Sequence, residues 1–424
     1  MKSSVKFGIQ VVPFLLIIQV FLLITGCKKS TVYSPVAPNA IHIGALLSIS
    51  GTGYSNGESS KVSLELARQD IEAYLRESGI DMKVIVVMAD TKTDTAEALK
   101  QLQKLFDQGI RMVIGPYSSA EVAALKPFVD AHGMILVSPS SVAASLAIAG
   151  DNVFRFVSSD ILQGKAMSKM LTEDNMKVMV PVIRNDVWGN DLLNATKADF
   201  IQQGGIVHDP VKFDPKTTDF TDFLTLLEAN VNEEISQHNP NEVAVYMLSF
   251  AEGGQLLRQA SGFPGLNSIY WYGSSAFAQN ASLLNDTVAA LFAYTHGLPC
   301  PVFGLDETFR DKWQPLQERI RSRIGRNPDV YAFTAYDALW VGVLSQITAG
   351  PYCTFEQLKT AFIHQADQFS GTSGNTTLDV NGDRAIGNYD FWAVKCELGG
   401  YYWKRVAQYN SATGMIIRIN EKPR

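Results

Sequence analysis

From residue 41 onward the chain alternates short apolar runs with longer stretches whose apolar positions recur at helical spacing. Residues 41–47 and the Val/Ile-rich run 83–88 predict buried parallel strands, as do 112–114 and 134–137. Between them, Val62, Leu66, Ile71 and Leu75 mark a helix over 58–75, after a Gly-rich turn at 50–57. Ala98, Leu102, Leu105 and Phe106 mark another over 95–106, and 121–131 is a third. The same beat restarts after Phe154, with helices at 160–171, 190–203, 220–229 and 252–260. Its strands fall at 178–182, 206–213, 243–248 and 268–272. Strands alternating with helices indicate parallel sheets covered on both faces, and two such series indicate two α/β lobes. The remainder is mixed: β-like at 288–295, helical at 306–324, 332–347 and 355–362, and β with aromatic clusters over 376–418. These late segments complete the lobes only if the chain crosses between them more than once, which leaves a cleft where small ligands bind.

The N-terminus has a different pattern. Lys2 and Lys6 precede a largely apolar run over 7–24, which ends in Leu23-Ile24-Thr25-Gly26-Cys27. A positive start, an apolar core and small residues before a cut define a secretory signal, here 1–26. The plain alternative is a permanent membrane helix, since about 20 apolar residues span a bilayer. Cys27 favours the signal, because the segment resembles a bacterial lipobox, with Cys27 acylated as the first mature residue. Residues 27–39 read as a tether, and the body is expected to face the periplasm or cell exterior, held to the lipid membrane.

Composition narrows the chemistry. The 424 residues carry a net charge of −6, with 46% apolar and 18% charged side chains, which excludes a disordered chain and disfavours nucleic acid as a partner. No GxSxG, HExxH, P-loop or CxxC pattern occurs, and the six histidines are scattered singly. Neither catalysis, a cofactor nor a metal is therefore expected. Asp379, Asn381 and Asp383 imitate a calcium loop, but the Gly is misplaced and no Glu completes it, so a tight turn is expected. Cys300, Cys353 and Cys396 cannot all pair with one another, and spacing does not fix a pairing.

Nine short segments, in order, resemble the solute-binding proteins of branched-chain amino-acid (leucine/isoleucine/valine-type) ABC importers. They include Ile43-Gly44-Ala45-Leu46, Gly51-Thr52-Gly53-Tyr54, Ile114-Gly115-Pro116-Tyr117-Ser118-Ser119 and Val137-Ser138-Pro139-Ser140-Ser141. Val187-Trp188-Gly189, Thr217-Thr218-Asp219-Phe220, the run 255–260, the run 331–337 and Asn381-Gly382-Asp383-Arg384 follow. The resemblance implies a type I periplasmic-binding-protein fold, two Rossmann-like lobes joined by three crossovers. Lobe one would hold 40–153 and 297–388, lobe two 159–287 and 396–424, with crossovers near 154–158, 288–296 and 389–395. It implies capture of a small solute for an ABC permease, with a ligand-sensing receptor on the same fold as the alternative.

Carried over residue by residue, the resemblance puts Tyr54, Tyr117, Ser118, Ser119, Ser140 and Ser141 on the first-lobe wall of the cleft. Ser119 would stand at the start of the helix over 121–131, where unpaired N–H groups attract a carboxylate. Trp188, Phe250 and Ser275 would face them from the second lobe. Two departures matter. Val142 stands where a Thr hydroxyl is usual, and Ser274-Ser275-Ala276 lacks the acid that amino-acid binders use for the ammonium. A buried ammonium without an acceptor is costly, so a small carboxylate, an amide or an aromatic-bearing solute is at least as good a candidate as an amino acid, unless Asp186 or Glu252 substitutes.

Overall fold

The computed structural model describes residues 40–398 and 400–419; the signal and tether segments, with Cys27, lie outside them. The first series of elements is β1 (Ala40–Leu47), α1 (Tyr54–Glu77), β2 (Lys83–Asp90), α2 (Thr95–Asp107), β3 (Met112–Ile114), α3 (Ser119–His132), β4 (Ile135–Ser138) and β5 (Val153–Arg155). The strands form one parallel sheet in the order β2-β1-β3-β4-β5. β1 is buried at every residue but His42, which is why its sequence is a nearly unbroken apolar run. Two apolar clusters line the sheet, one including Ile43, Leu66, Ile71 and Val137, the other Leu102, Val113, Val122 and Leu136.

The second series is α4 (Asp160–Glu173), β6 (Val178–Arg184), α5 (Val187–Gln202), β7 (Ile206–Val207), β8 (Val211–Phe213), α6 (Thr221–Ile235), β9 (Val243–Leu248), α7 (Gly253–Ala260), β10 (Tyr270–Tyr272), α8 (Ala281–Asn285) and α9 (Thr287–His296). Its parallel sheet runs β10-β9-β6-β7, with β8 also on β6. The chain then makes β11 (Cys300–Phe303), α10 (Arg310–Ile324), α11 (Tyr331–Ala349), α12 (Phe355–Gln368), β12 (Ser370–Gly371), β13 (Gly374–Asn375), β14 (Tyr389–Glu397), β15 (Gly400–Asn410) and β16 (Met415–Arg418). α11 packs on α1 and belongs to the first body of the molecule. β11, β14, β15 and β16 form an antiparallel sheet whose Tyr389, Phe391, Ala407 and Tyr409 join the second core. The fold is therefore the two-lobed type I architecture, and the aromatic clusters of the tail serve to seat this sheet.

Two expectations are corrected. Residues 288–295 are helical, inside α9, and not β-like. Their apolar residues occupy both sides, Ala289, Phe292 and Ala293 buried and Val288, Leu291 and Tyr294 exposed, so no 3.6-residue period survives in the sequence. The Gly-rich turn is also shorter than expected, because α1 begins at Tyr54. Gly57 lies inside that helix, where a Cβ would sit 2.0 Å from the Ser48 carbonyl oxygen. Its role is close packing of helix on strand rather than a bend.

A buried ion pair ties the end of β5 to the turn at 379–384. Arg155, at the end of β5, holds Asp383 with a two-pronged contact, and Arg155 also donates to the Ala143 carbonyl at 2.6 Å. Both side chains are almost fully buried. Asp379 accepts from the backbone N–H of Asn381 (2.8 Å) and Asp383 (3.0 Å), so the segment is a tight turn whose acids have partners of their own. Cys300, Cys353 and Cys396 are all unpaired.

Candidate functional site

Two loops at the carboxyl ends of β3 and β4 make one wall of a cavity between the lobes. Gly115 has φ of +95°, and a Cβ there would meet the Leu46 carbonyl oxygen at 2.0 Å, so only glycine lets the loop lie this close to β1. Ser118, rather than Ser119, caps α3. Its hydroxyl accepts from the Glu121 N–H (3.2 Å), while the Glu121 carboxylate accepts from the Ser118 N–H (3.1 Å). This is a capping box, and the Ser-x-x-Glu spacing that announces it stands in the sequence. Freed from capping, the Ser119 hydroxyl lies 2.9 Å from that of Ser141 and accepts from the N–H of Val142 and Ala143, both at 3.2 Å. Ser140 donates to the Tyr117 carbonyl at 2.8 Å, and Ser138 to the Pro116 carbonyl at 2.8 Å. The two loops are thus stitched together by serine hydroxyls.

The opposite wall is aromatic. Asp186 caps α5, accepting from the Gly189 N–H at 2.9 Å, which fixes Trp188 in the first turn of the helix. Trp188 packs on Phe250 at 5.1 Å between centroids, and Phe250 meets Tyr117 of the first wall at 5.5 Å. Tyr331, the first residue of α11, lies 6.1 Å from Tyr117. Beneath Phe250 the Arg184 guanidinium stands 4.3 Å from the ring centroid and pairs with Asp186 and Glu252. Burial alone would lower the guanidinium's pKa, but these two acids hold it above its ordinary value.

Tyr117, Ser118, Ser119, Ser140, Trp188, Phe250 and Ser275 line one nearly closed cavity of about 10 Å³, together with Val142, Ala276 and Tyr331. Ser141 is buried directly behind it, on Ser119. Tyr54 is not brought there. It starts α1, is 38% exposed and is absent from the lining. Its turn position in the sequence pattern became a helix position in the fold. Tyr331 and Ala276 escaped the sequence reading; Tyr331 did stand in one of the segments that carried the resemblance, but at the start of an apolar helix it reads as core.

Asp186 and Glu252 are both occupied by Arg184, and Glu252 also accepts from the Phe250 N–H at 3.0 Å. A different acid borders the site. Asp160, the first residue of α4, is fully buried, and neither carboxylate oxygen finds a hydrogen-bond partner among the described residues. Its backbone N–H donates to the carbonyl of the cavity residue Val142 at 2.8 Å. Burial pushes its carboxyl well above the ordinary carboxylate range, with Arg155 opposing. Its charge in turn raises the phenol of Tyr331, after the larger effect of that residue's own burial.

Paired α/β lobes with a small polar-and-aromatic cavity at the strand ends define a protein that encloses a solute. The comparisons make the class specific. A family model described as periplasmic binding protein matches residues 40–397, and the chain belongs to that family. It is 29% identical over 93% of its length to an uncharacterized protein of Methanocaldococcus jannaschii, covering 96% of that protein. A Leu/Ile/Val-binding protein of Rhizobium johnstonii is 26% identical over 54% of this chain, and the chain spans only 60% of that relative. Among solved structures, a leucine-binding protein of Thermotoga maritima superposes with a TM-score of 0.72 at 21% identity, over 88% of this chain and 99% of that one. The chain is thus a periplasmic-binding-protein family member resembling the Leu/Ile/Val-binding proteins of ABC transporters, a family of binders and not of catalysts.

Proposed function

We propose that the protein is a lipid-anchored, extracytoplasmic binder that captures a small amino-acid-like solute between its lobes and delivers it to an ABC permease. The observation that carries this reading is the cavity lined by Tyr117, Ser118, Ser119, Ser140, Trp188, Phe250 and Ser275. The start of α3 supplies backbone N–H groups for a carboxylate. The rings of Tyr117, Trp188, Phe250 and Tyr331 supply an apolar surround for a side chain. Asp160 supplies the acceptor that the 274–276 segment lacks, and moves the balance from a bare carboxylate toward a solute with a cationic nitrogen. Lobe 1 is proposed to hold 40–153 and 297–388 and lobe 2 159–287 and 396–424, with crossovers near 154–158, 288–296 and 389–395, except that β11 joins the sheet packed on the second core. Acylated Cys27 is the anchor, supported by the sequence pattern before it.

The test is calorimetric titration of the full chain, purified in detergent, with L-leucine and with 4-methylpentanoate, the same skeleton without the ammonium. L-leucine is expected to bind the more tightly, and Asp160→Asn to weaken it by about ten-fold or more while leaving the carboxylate unchanged, as for a lost charge-assisted hydrogen bond. Because burial holds Asp160 above the ordinary range, an ammonium must first find it ionised; affinity for L-leucine should fall as pH is lowered through the raised pKa. Tighter binding of 4-methylpentanoate, or indifference of L-leucine to Asp160→Asn, would sink the amino-acid reading.

A further inference from the structure

A second cavity lies beside β11 and β14, about 690 Å³ including its open mouth. It shares no lining residue with the first, but the two have a wall in common. Val330 and Phe333 at the start of α11 line the second cavity, and Tyr331 between them lines the first. Its inner surface is aromatic, made by buried Phe303 and Phe333 with Trp313 of α10 and Trp392 of β14. Its polar side holds two guanidiniums, Arg310 and Arg405, with Glu307 and Asp390.

The hydrogen bonding on that side is lopsided. Glu307 pairs with Arg405 at 2.8 Å and, more loosely, with Arg310 at 3.8 Å. Both oxygens of Asp390 are taken, by Gln408 at 3.0 Å and Arg405 at 3.4 Å. A guanidinium has five N–H donors, and these contacts engage Arg405 through a single nitrogen and Arg310 through two. Among the described residues both guanidiniums keep N–H groups turned to solvent, and Arg310 also lies 5.5 Å over the Trp313 ring. Burial also pushes Asp390 up to about 6, which lessens its repulsion of an entering anion near that pH.

We propose that this cavity is a second ligand site, independent of the inter-lobe cavity, for a small aromatic carboxylate. The ring enters among Trp313, Trp392, Phe303 and Phe333, and the carboxylate meets Arg310 and Arg405. With an accessible space of about 200 Å³ it is a small pocket, and pockets that are mostly apolar with a few convergent polar groups are where small molecules are held. Arginine suits the two-pronged recognition of a carboxylate.

The full chain in detergent would be titrated calorimetrically with phenylacetate and with benzylamine, which has a similar ring and the opposite charge. Phenylacetate is expected to bind, and to bind the Trp188→Ala variant within about two-fold, because Trp188 lines only the inter-lobe cavity. Trp313→Leu and Arg310→Gln should each weaken it about ten-fold, and benzylamine should be weaker than phenylacetate by a similar factor. Arg310 is an exposed side chain, so its replacement leaves the fold intact and the result readable. The proposal is overturned if phenylacetate does not bind, or if binding disappears in Trp188→Ala. It is equally overturned if Arg310→Gln and Trp313→Leu leave binding unchanged, or if benzylamine binds as well.

Discussion

The two walls of the inter-lobe cavity are built on opposite principles. The first-lobe wall is held by hydroxyls: Ser119, Ser138 and Ser140 each bridge one loop to the other, and Ser118 closes a capping box. The second-lobe wall is held by ring contacts, Trp188 on Phe250, over a buried Arg184 flanked by two acids. A hydroxyl network fixes position to within a few tenths of an ångström, whereas ring packing tolerates exchange of one apolar shape for another. The difference teaches a division of labour: the rigid polar wall suits the part common to a class of solutes, and the aromatic wall suits the part that varies.

The largest effect should come from breaking the ion pair that ties the 379–384 turn to β5. Arg155→Met strands Asp383 in a buried place, and loss of one partner of such a pair costs about 3–5 kcal/mol. Urea unfolding of the full chain would show it, and a loss below about 1 kcal/mol would mean that the pair does not brace the fold. Next comes Ser119→Ala, which removes the acceptor for the N–H of Val142 and Ala143. Each orphaned buried donor costs about 1–3 kcal/mol, so stability falls and the polar wall loosens. If the comparison of walls holds, this variant also reduces solute affinity for every solute alike, while Trp188 variants reorder preferences among them. The smallest effect belongs to Tyr54→Ala. Exposed and away from the cavity, it should leave affinity within about two-fold and stability within about 0.5 kcal/mol. A large loss of binding there would show that the first wall extends to the start of α1.

The sequence was most legible where structure is local. The strand-to-helix steps of β1, β2 and β3 follow from each apolar run and the periodic stretch after it, whereas β5 falls where a crossover was expected; the serine loops could be placed because they directly follow strand ends. Legibility failed where one residue serves a distant part of the chain. Tyr331 belongs to an apolar helix whose every early residue is buried, so nothing local marks it as a wall of the cavity. Asp160 looks like an ordinary acidic residue in a first helical turn, a favourable place for it in any helix. Only its complete burial, with neither carboxylate oxygen partnered among the described residues, makes it exceptional. In α9 the apolar residues that face outward, Val288, Leu291 and Tyr294, erased the signature of the helix.

The contact between Tyr117 and Phe250 has a kinetic consequence. These rings belong to opposite walls, so a solute enters only after they part. Aromatic pairs contribute about 0.5–1.5 kcal/mol beyond the area they bury, and at about 1.4 kcal/mol only one molecule in ten or so would stand open. Every capture would then begin with waiting for that minority, and the observed association rate would be the intrinsic one multiplied by the open fraction. A solute already inside is retained by the same contact. A contact of this kind that must part for entry and re-forms over a bound solute would slow arrival and departure together.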